Sequence, residues 1–251
     1  MNKDYWEKRS LQMMKKIYNT QEKENKALVK LYKETLKDIK SEVETLYSKM
    51  DNVSLSEAYR YDRLKKIEKQ LQDKITELAK EEVKIDKNIL EKSYKDAYEQ
   101  VSKNLKIDFT KVPHETVKKA LDYPWSGSMF SEIVWKNNSQ LAFQLKNTIT
   151  KGLIEGKSYI NMARELEKLM DNGIYNSLRV IRTETAHIVN QAALDRYNDA
   201  NVKEVEWLAA EDERMCGTCG TLHGQKFKIE EFPDCPNHPM CRCTILPIVK
   251  I

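Results

Sequence analysis

The sequence predicts an α+β fold that is predominantly α-helical: a long N-terminal helical hairpin, a helical middle region, and a small mixed α+β C-terminal module with a Cys/His metal-type site. Three observations predict it. Seven Gly and six Pro in 251 residues, with 33% of residues charged, favour long helices with solvated faces. Apolar residues recur at threes and fours in the first hundred positions. All five cysteines lie in one stretch, CGTCGTLHGQKFKIEEFPDCPNHPMCRC, from Cys216 to Cys243. The expected division is a hairpin arm over 1–104, a helical middle over 105–174 and a C-terminal domain over 175–251.

Composition bounds the rest. At 40% hydrophobic residues the chain can bury a sizeable core. No apolar run approaches the roughly 18 residues of a membrane span, so no membrane is expected. The N-terminus, MNKDYWEKRSLQMMKK, is charged throughout and lacks a secretory core. The protein is expected to start in the cytoplasm, where thiols stay reduced. An odd number of clustered cysteines then fits metal binding better than a disulfide framework. A formal charge of +4 identifies no partner, because nucleic-acid binding needs a local basic patch.

Residues 4–50 read as one helix, with a heptad-like stripe at Tyr32, Leu36, Ile39, Val43, Leu46 and Met50. Tyr32 has a polar tip, so the stripe is expected to reach solvent there. The pair Tyr5-Trp6 reads either as a docking point or as a staple of the helix end. After a break at Asp51-Asn52-Val53, Ser54-Leu55-Ser56-Glu57 is a capping box. It opens a second helix to about Asn104, striped at Leu64, Ile67, Leu71, Ile75 and Leu78. The two form an antiparallel hairpin. Asp108-Phe109-Thr110 and Val112-Pro113 break the helix, and Asp122–Ser128 is a turn-rich loop holding Tyr123 and Trp125. A helix over about 130–151 faces Val134, Leu141, Leu145 and Ile149 inward. Ser158 caps a short helix, Tyr159–Met170, which ends by Gly173. A last long helix covers 175–199.

That last helix contains Arg179-Val180-Ile181-Arg182-Thr183-Glu184-Thr185-Ala186-His187. Glu184 and His187 share a face. They read either as surface ion pairs plus a half-buried His or as a polar cluster set against the C-terminal module. Val202–Leu208, Lys226–Ile229 and Thr244–Val249 are strand-like and flank the cysteines.

The cysteine segment reads C-x2-C, fifteen residues, then C-x2-H-x2-C-x-C. Two ligand pairs from separated loops are how small domains build a tetrahedral zinc site. The preferred ligands are Cys216, Cys219, His238 and Cys241, with Cys235 and Cys243 as alternates. Pro236 and Pro239 stiffen the approach of His238. A closed site of this kind is structural. Catalysis would need an open position and an acid or base, for which Glu211, Asp212 and Glu213 are near in sequence. Residues 201–251 carry six basic against eight acidic side chains, which repels phosphate. Any DNA contact is expected on the N-terminal helices, non-specific and salt-sensitive.

The order Arg182-Thr183-Glu184, Trp207, Cys216-x2-Cys219, Gly224, Phe227 and His238-Pro239-x-Cys241-Arg242-Cys243 resembles the C-terminal domain of Mu F-like phage head morphogenesis proteins, the minor head (minor capsid) proteins of tailed phages and prophages. Tyr5-Trp6-x2-Arg9 and Pro124-Trp125-Ser126-Gly127, with Ile133 and Trp135 after it, are similar to the front and middle of the same group. The resemblance implies a non-enzymatic role in procapsid assembly and genome packaging or delivery. It implies portal and other capsid proteins as partners, and location in the host bacterial cytoplasm during assembly and then in the virion head. It supports the importance of Arg182 and Glu184 without supplying a reaction. Larger members carry toxin or enzymatic domains after the shared one, and the stop at Ile251 leads us to expect none here. His223 and Cys235 are extra ligand-capable residues around the motif. Two alternatives stand beside this reading: an enzyme acting on nucleic acid or protein through Glu184 and His187, and a DNA-binding internal virion protein.

Overall fold

Long helices dominate because the apolar positions keep a 3.6-residue period over many turns with few Gly or Pro to interrupt it. In the computed structural model these are α1 (Lys3–Met50), α2 (Glu57–Leu105), α3 (His114–Leu121), α4 (Phe130–Ile154) and α5 (Tyr159–Asp199). Strand β1 (Glu204–Leu208), helix α6 (Gly217–Leu222), strand β2 (Lys226–Lys228) and strand β3 (Thr244–Ile248) complete the chain. The structure describes residues 3–50, 57–108, 111–210 and 215–249. The expected break at Asp51-Asn52-Val53, the Ser54-Leu55-Ser56 part of the capping box, Phe109-Thr110 and the acidic run Glu211-Asp212-Glu213 lie outside them, as does the side chain of Met50. The predominantly helical α+β class is as expected, although α3 had no clear signal in the sequence.

Two compact units form: one from 25–85 and 131–178, the other from 1–24, 86–130 and 179–251. The first is a helical bundle. Tyr32, Ile39, Val43 and Leu46 of α1 share a core with Ile67, Leu71, Ile75 and Leu78 of α2, so the two sequence stripes meet as a hairpin. Leu141, Leu145 and Ile149 of α4 and Met162, Leu166 and Met170 of α5 close that core. The Tyr32 tip does not reach solvent. Its hydroxyl donates to Glu82 Oε2 at 2.7 Å, and Asn138 Nδ2 donates to the same oxygen at 2.7 Å. A buried polar group is retained where it has such partners.

Gly173 does not end a helix, contrary to the sequence expectation. α5 runs unbroken from Tyr159 to Asp199. A Cβ at Gly173 would lie 2.9 Å from Tyr32 Cε1 and 3.0 Å from Leu141 Cδ2. Its role is close packing, and an isolated glycine costs a helix only about 1 kcal/mol.

The second unit holds a three-stranded antiparallel sheet ordered β2-β1-β3. β1 is buried on both faces rather than half-buried. Its period of two sends Leu208 against Trp6, while Trp207 packs with the cysteines. Glu206 is also buried and pairs with Lys3 Nζ at 2.6 Å. Trp6 is thus the staple of the two readings offered for it: it is 3% exposed and packs on the sheet with Leu246. Among the described residues no helix is long and apolar enough to cross a membrane.

Candidate metal centre

The site is built on α6 and on the loop between β2 and β3. Cys216 is the N-cap of α6, and its Sγ accepts from the Cys219 backbone N–H at 3.3 Å. One turn of helix thereby brings both thiols to one side. Gly224 then turns the chain back at φ +76, a conformation glycine adopts without a Cβ clash, and its N–H donates to the Trp207 carbonyl at 2.9 Å. From the other loop, His238 Nδ1 lies 2.9 Å from the Pro239 carbonyl. With the proton on Nδ1, that bond orients the ring and leaves Nε2 as a ligand atom.

Two groups of ligand atoms result, each within 4.8 Å of one another: Cys216, Cys219 and His238, and Cys219, Cys241 and Cys243. Cys219 belongs to both, and its Sγ lies 3.6 Å from Cys241 Sγ. A cavity of about 20 Å³ among Cys216, Cys219, His238, Cys241 and Cys243 has room for one ion. This Cys/His cluster is capable of metal coordination.

The thiols differ electrically. The Cys219 N–H holds Cys216 below the ordinary thiol range. The neighbouring Cys243 thiol lowers Cys241 to about 5. Burial pushes Cys219 up to about 12, and the bond to Cys241 raises Cys243. The backbone carbonyl of Pro239 raises His238.

Cys235 lies outside both groups. Its Sγ is 3.5 Å from the Cys243 carbonyl and accepts from Asn190 Nδ2 at 3.3 Å. His223 is also apart, accepting from Ala209 N–H at 3.3 Å. Asn190 was not singled out from sequence. On α5, buried, it also donates to the Cys243 carbonyl at 3.1 Å and accepts from Thr244 Oγ1 at 2.9 Å. Its one signal is an amide in an otherwise apolar face, beside Ala186, Val189 and Ala193.

Arg182, Thr183 and Glu184 serve three different contacts. Arg182 makes a bidentate pair with Glu22, at 2.6 and 2.8 Å. Thr183 Oγ1 accepts from the Met240 N–H at 3.0 Å, which ties the ligand loop to α5. Glu184 Oε2 accepts from Trp125 Nε1 at 3.0 Å. The turn before Gly127 presents that indole: the Gly127 N–H donates to the Pro124 carbonyl at 2.9 Å, with Gly127 at φ +91. Trp125 also stacks on His187, centroids 4.8 Å apart. Glu184 and His187 are 7% and 2% exposed, so they are not surface groups. Burial raises Glu184 to about 7 and lowers His187 to about 4.

Residues 143–246 match the family described as Phage Mu protein F like protein. The chain is 26% identical to an NAD(+)–arginine ADP-ribosyltransferase of Enterococcus faecalis, over 97% of this chain and 54% of that protein. It is 24% identical to the minor head protein of Bacillus phage SPP1, over 82% of this chain and 71% of that protein. The chain thus spans about half the length of the first of these relatives. No solved structure matches. The motif residues that carried the resemblance, from Arg182 to Cys243, lie inside the matched region, so the C-terminal part of this chain is similar to the Mu F-like proteins, consistent with its likeness to a phage minor head protein.

Proposed function

We propose that this protein acts in procapsid assembly, associates with the portal vertex and takes part in genome packaging or delivery. Its place is the host bacterial cytoplasm during assembly and the virion head afterwards. Portal and other capsid proteins are its partners. The role is structural, not enzymatic. In this reading the hairpin arm of 1–104 docks, the middle of 105–174 braces it, and the domain of 175–251 positions it.

The observation that carries this reading is the closure of the family-motif residues. Arg182, Thr183 and Glu184 are each spent on a contact within the chain, and Trp125 covers Glu184 and His187. An enzyme using Glu184 and His187 would need them open to a substrate, and both are buried. A DNA-binding role would rest on α1 and α2, where many lysines already pair with acids, as Lys74 does with Glu42 at 3.2 Å.

The cluster holds a structural zinc through Cys216, Cys219, His238 and Cys241, with Cys243 as the alternate nearest the site. Three thiolates and one imidazole around a small cavity suit that ion. Bound zinc would supply a cross-link between α6 and the loop before β3. Pull-down of purified portal protein is the test of the assembly role. Retention of portal is expected; a freely soluble chain with no affinity for portal would sink the proposal.

A further inference from the structure

We infer that the cleft between α3 and α5 binds an arginine-bearing basic segment of a partner protein, whose guanidinium donates to the His187 ring at the inner end of the cleft. The cleft has a volume of about 700 Å³, and its walls all belong to the unit that contains 86–130 and 179–251. Clefts of roughly 300–1,000 Å³ hold small ligands, so this one has room for more than one side chain.

Its lining selects a cation. Glu115, Asp195, Asp199 and Asp234 stand in it against Lys119. Arg196, 5.2 Å from the Tyr98 ring centroid, is buried and already donates to Ser102 Oγ at 2.6 Å and to the Asp108 carbonyl at 3.1 Å. Along α5 the neighbouring donors are spent on the carboxylates. Tyr94 and Tyr98 donate to Asp195 and Asp199, and Gln191 Nε2 donates to Asp195 Oδ1 at 2.7 Å. These bonds fix the two carboxylates one turn apart and leave each with unused lone pairs.

A buried acceptor stands at the inner end. His187, Gln191, Asp195 and Asp199 follow one another at fours along α5, on one face of the helix. His187 is 2% exposed behind Tyr123, with ring centroids 6.1 Å apart. The backbone of Cys235, next to Asp234 of the cleft wall, approaches its ring, yet neither nitrogen closes a hydrogen bond of normal geometry among the described residues. A buried polar atom without a partner is rare, and an incoming N–H supplies what is missing. Burial keeps the ring neutral at pH 7, so it accepts from a cation instead of repelling it. Binding turns the half-exposed Tyr123 ring onto the guanidinium and opens the way to His187. Glu184 stays under Trp125, so no acid–base pair opens with it.

Spacing selects the kind of cation. Among the described residues, three or more ligand atoms converge within 4.8 Å in the cysteine cluster and not in this cleft, so its carboxylates do not chelate a metal ion. A guanidinium suits them: it carries five donors, no acceptor and a planar face that stacks on tyrosine. Carboxylates spread along a cleft match charges spread along a peptide. This inference does not depend on the head-assembly role.

Calorimetric titration of the purified chain with the capped peptide Gly-Arg-Gly-Arg-Gly tests it, with Gly-Gln-Gly-Gln-Gly and spermidine as comparisons. The arginine peptide should bind at about 1 mM or below, and more weakly as salt rises. The other two should bind about ten-fold more weakly or not at all. Asp199→Asn/Asp234→Asn removes two exposed charges and should weaken the arginine peptide about ten-fold, with unchanged circular dichroism. In nitrogen NMR, saturating arginine peptide should shift the ring resonances of His187 and leave those of His223 in place. No binding at about 1 mM, equal binding of either comparison, undiminished affinity in the double variant, or an unmoved His187 resonance overturns the inference.

Discussion

The helical bundle and the C-terminal sheet module solve the same problem by different means. The bundle buries stripes of Leu, Ile, Val and Met from four helical segments, enough apolar surface to hold itself together. Around the ligands the module buries Trp207, Ala209 and four cysteines, beside a second cluster in which Leu208 and Leu246 pack on Trp6. The strand residues Val205, Leu208, Ile245 and Leu246 add apolar burial there, so a small unit of this kind rests on packing such as Trp6 on the sheet as well as on its thiols. The comparison teaches that the cysteine cluster is part of the core of its module rather than a surface addition to it.

Removing the proposed metal cross-link should separate the two regions most sharply. Cys219 is shared by both ligand groups, so Cys219→Ser or a strong chelator is expected to abolish metal binding. Structural zinc contributes on the order of 10 kcal/mol to small metal domains. Hydrogen exchange should show the amides of Glu204–Leu208 and Thr244–Ile248 losing protection while those of 25–50 and 62–85 keep it. Unchanged protection in the strands after complete metal removal would show that apolar packing suffices there.

Leu145→Ala is the reciprocal cut. Leu145 is fully buried in the bundle, and such truncations cost about 2–5 kcal/mol. The denaturation midpoint should fall while metal stoichiometry stays at the wild-type value. A loss of metal together with stability would mean that the two cores are not separate solutions.

The third test concerns the α5 face beside the module. Glu184 sits at about 7 against an ordinary 4.5 because burial penalises its charge. The folded state then holds the extra proton, so this group removes stability as pH rises from about 4.5 to 7. His187 sits at about 4 against 6.5, again through burial, so it removes stability as pH falls from 6.5 towards 4. The two slopes oppose between pH 4.5 and 6.5. Relative to wild type, Glu184→Gln should become more stable with rising pH, by up to about 3 kcal/mol. His187→Phe should become less so across the same window. Chemical denaturation at three pH values decides; parallel profiles for all three proteins would exclude the assignment.

Much of this was legible because helices and ligand pairs leave local signatures. The stripes from Tyr32 to Leu46 and from Ile67 to Leu78 announced their helices and their pairing, since the apolar side of one helix needs another. The C-x2-C spacing announced the turn that joins Cys216 and Cys219. Gly173 misled because a glycine needed for close approach looks the same as one that ends a helix. Tyr32 misled because its partners, Glu82 and Asn138, are 50 and 106 residues away. Glu184 and His187 gave no sign of their lid, since Trp125 is 59 residues from Glu184.

By itself, then, the sequence determined the helical periods, the scarcity of breaks, the three strands and the clustering of every thiol. Those features depend on neighbours within a few residues, where backbone geometry and side-chain spacing decide the outcome. Only the tertiary structure decided that Cys243 joins the cluster while Cys235 turns to Asn190, and that Trp6 seals the sheet. Both depend on which distant segments meet, and that is set by burial and shape over the whole unit rather than by local pattern.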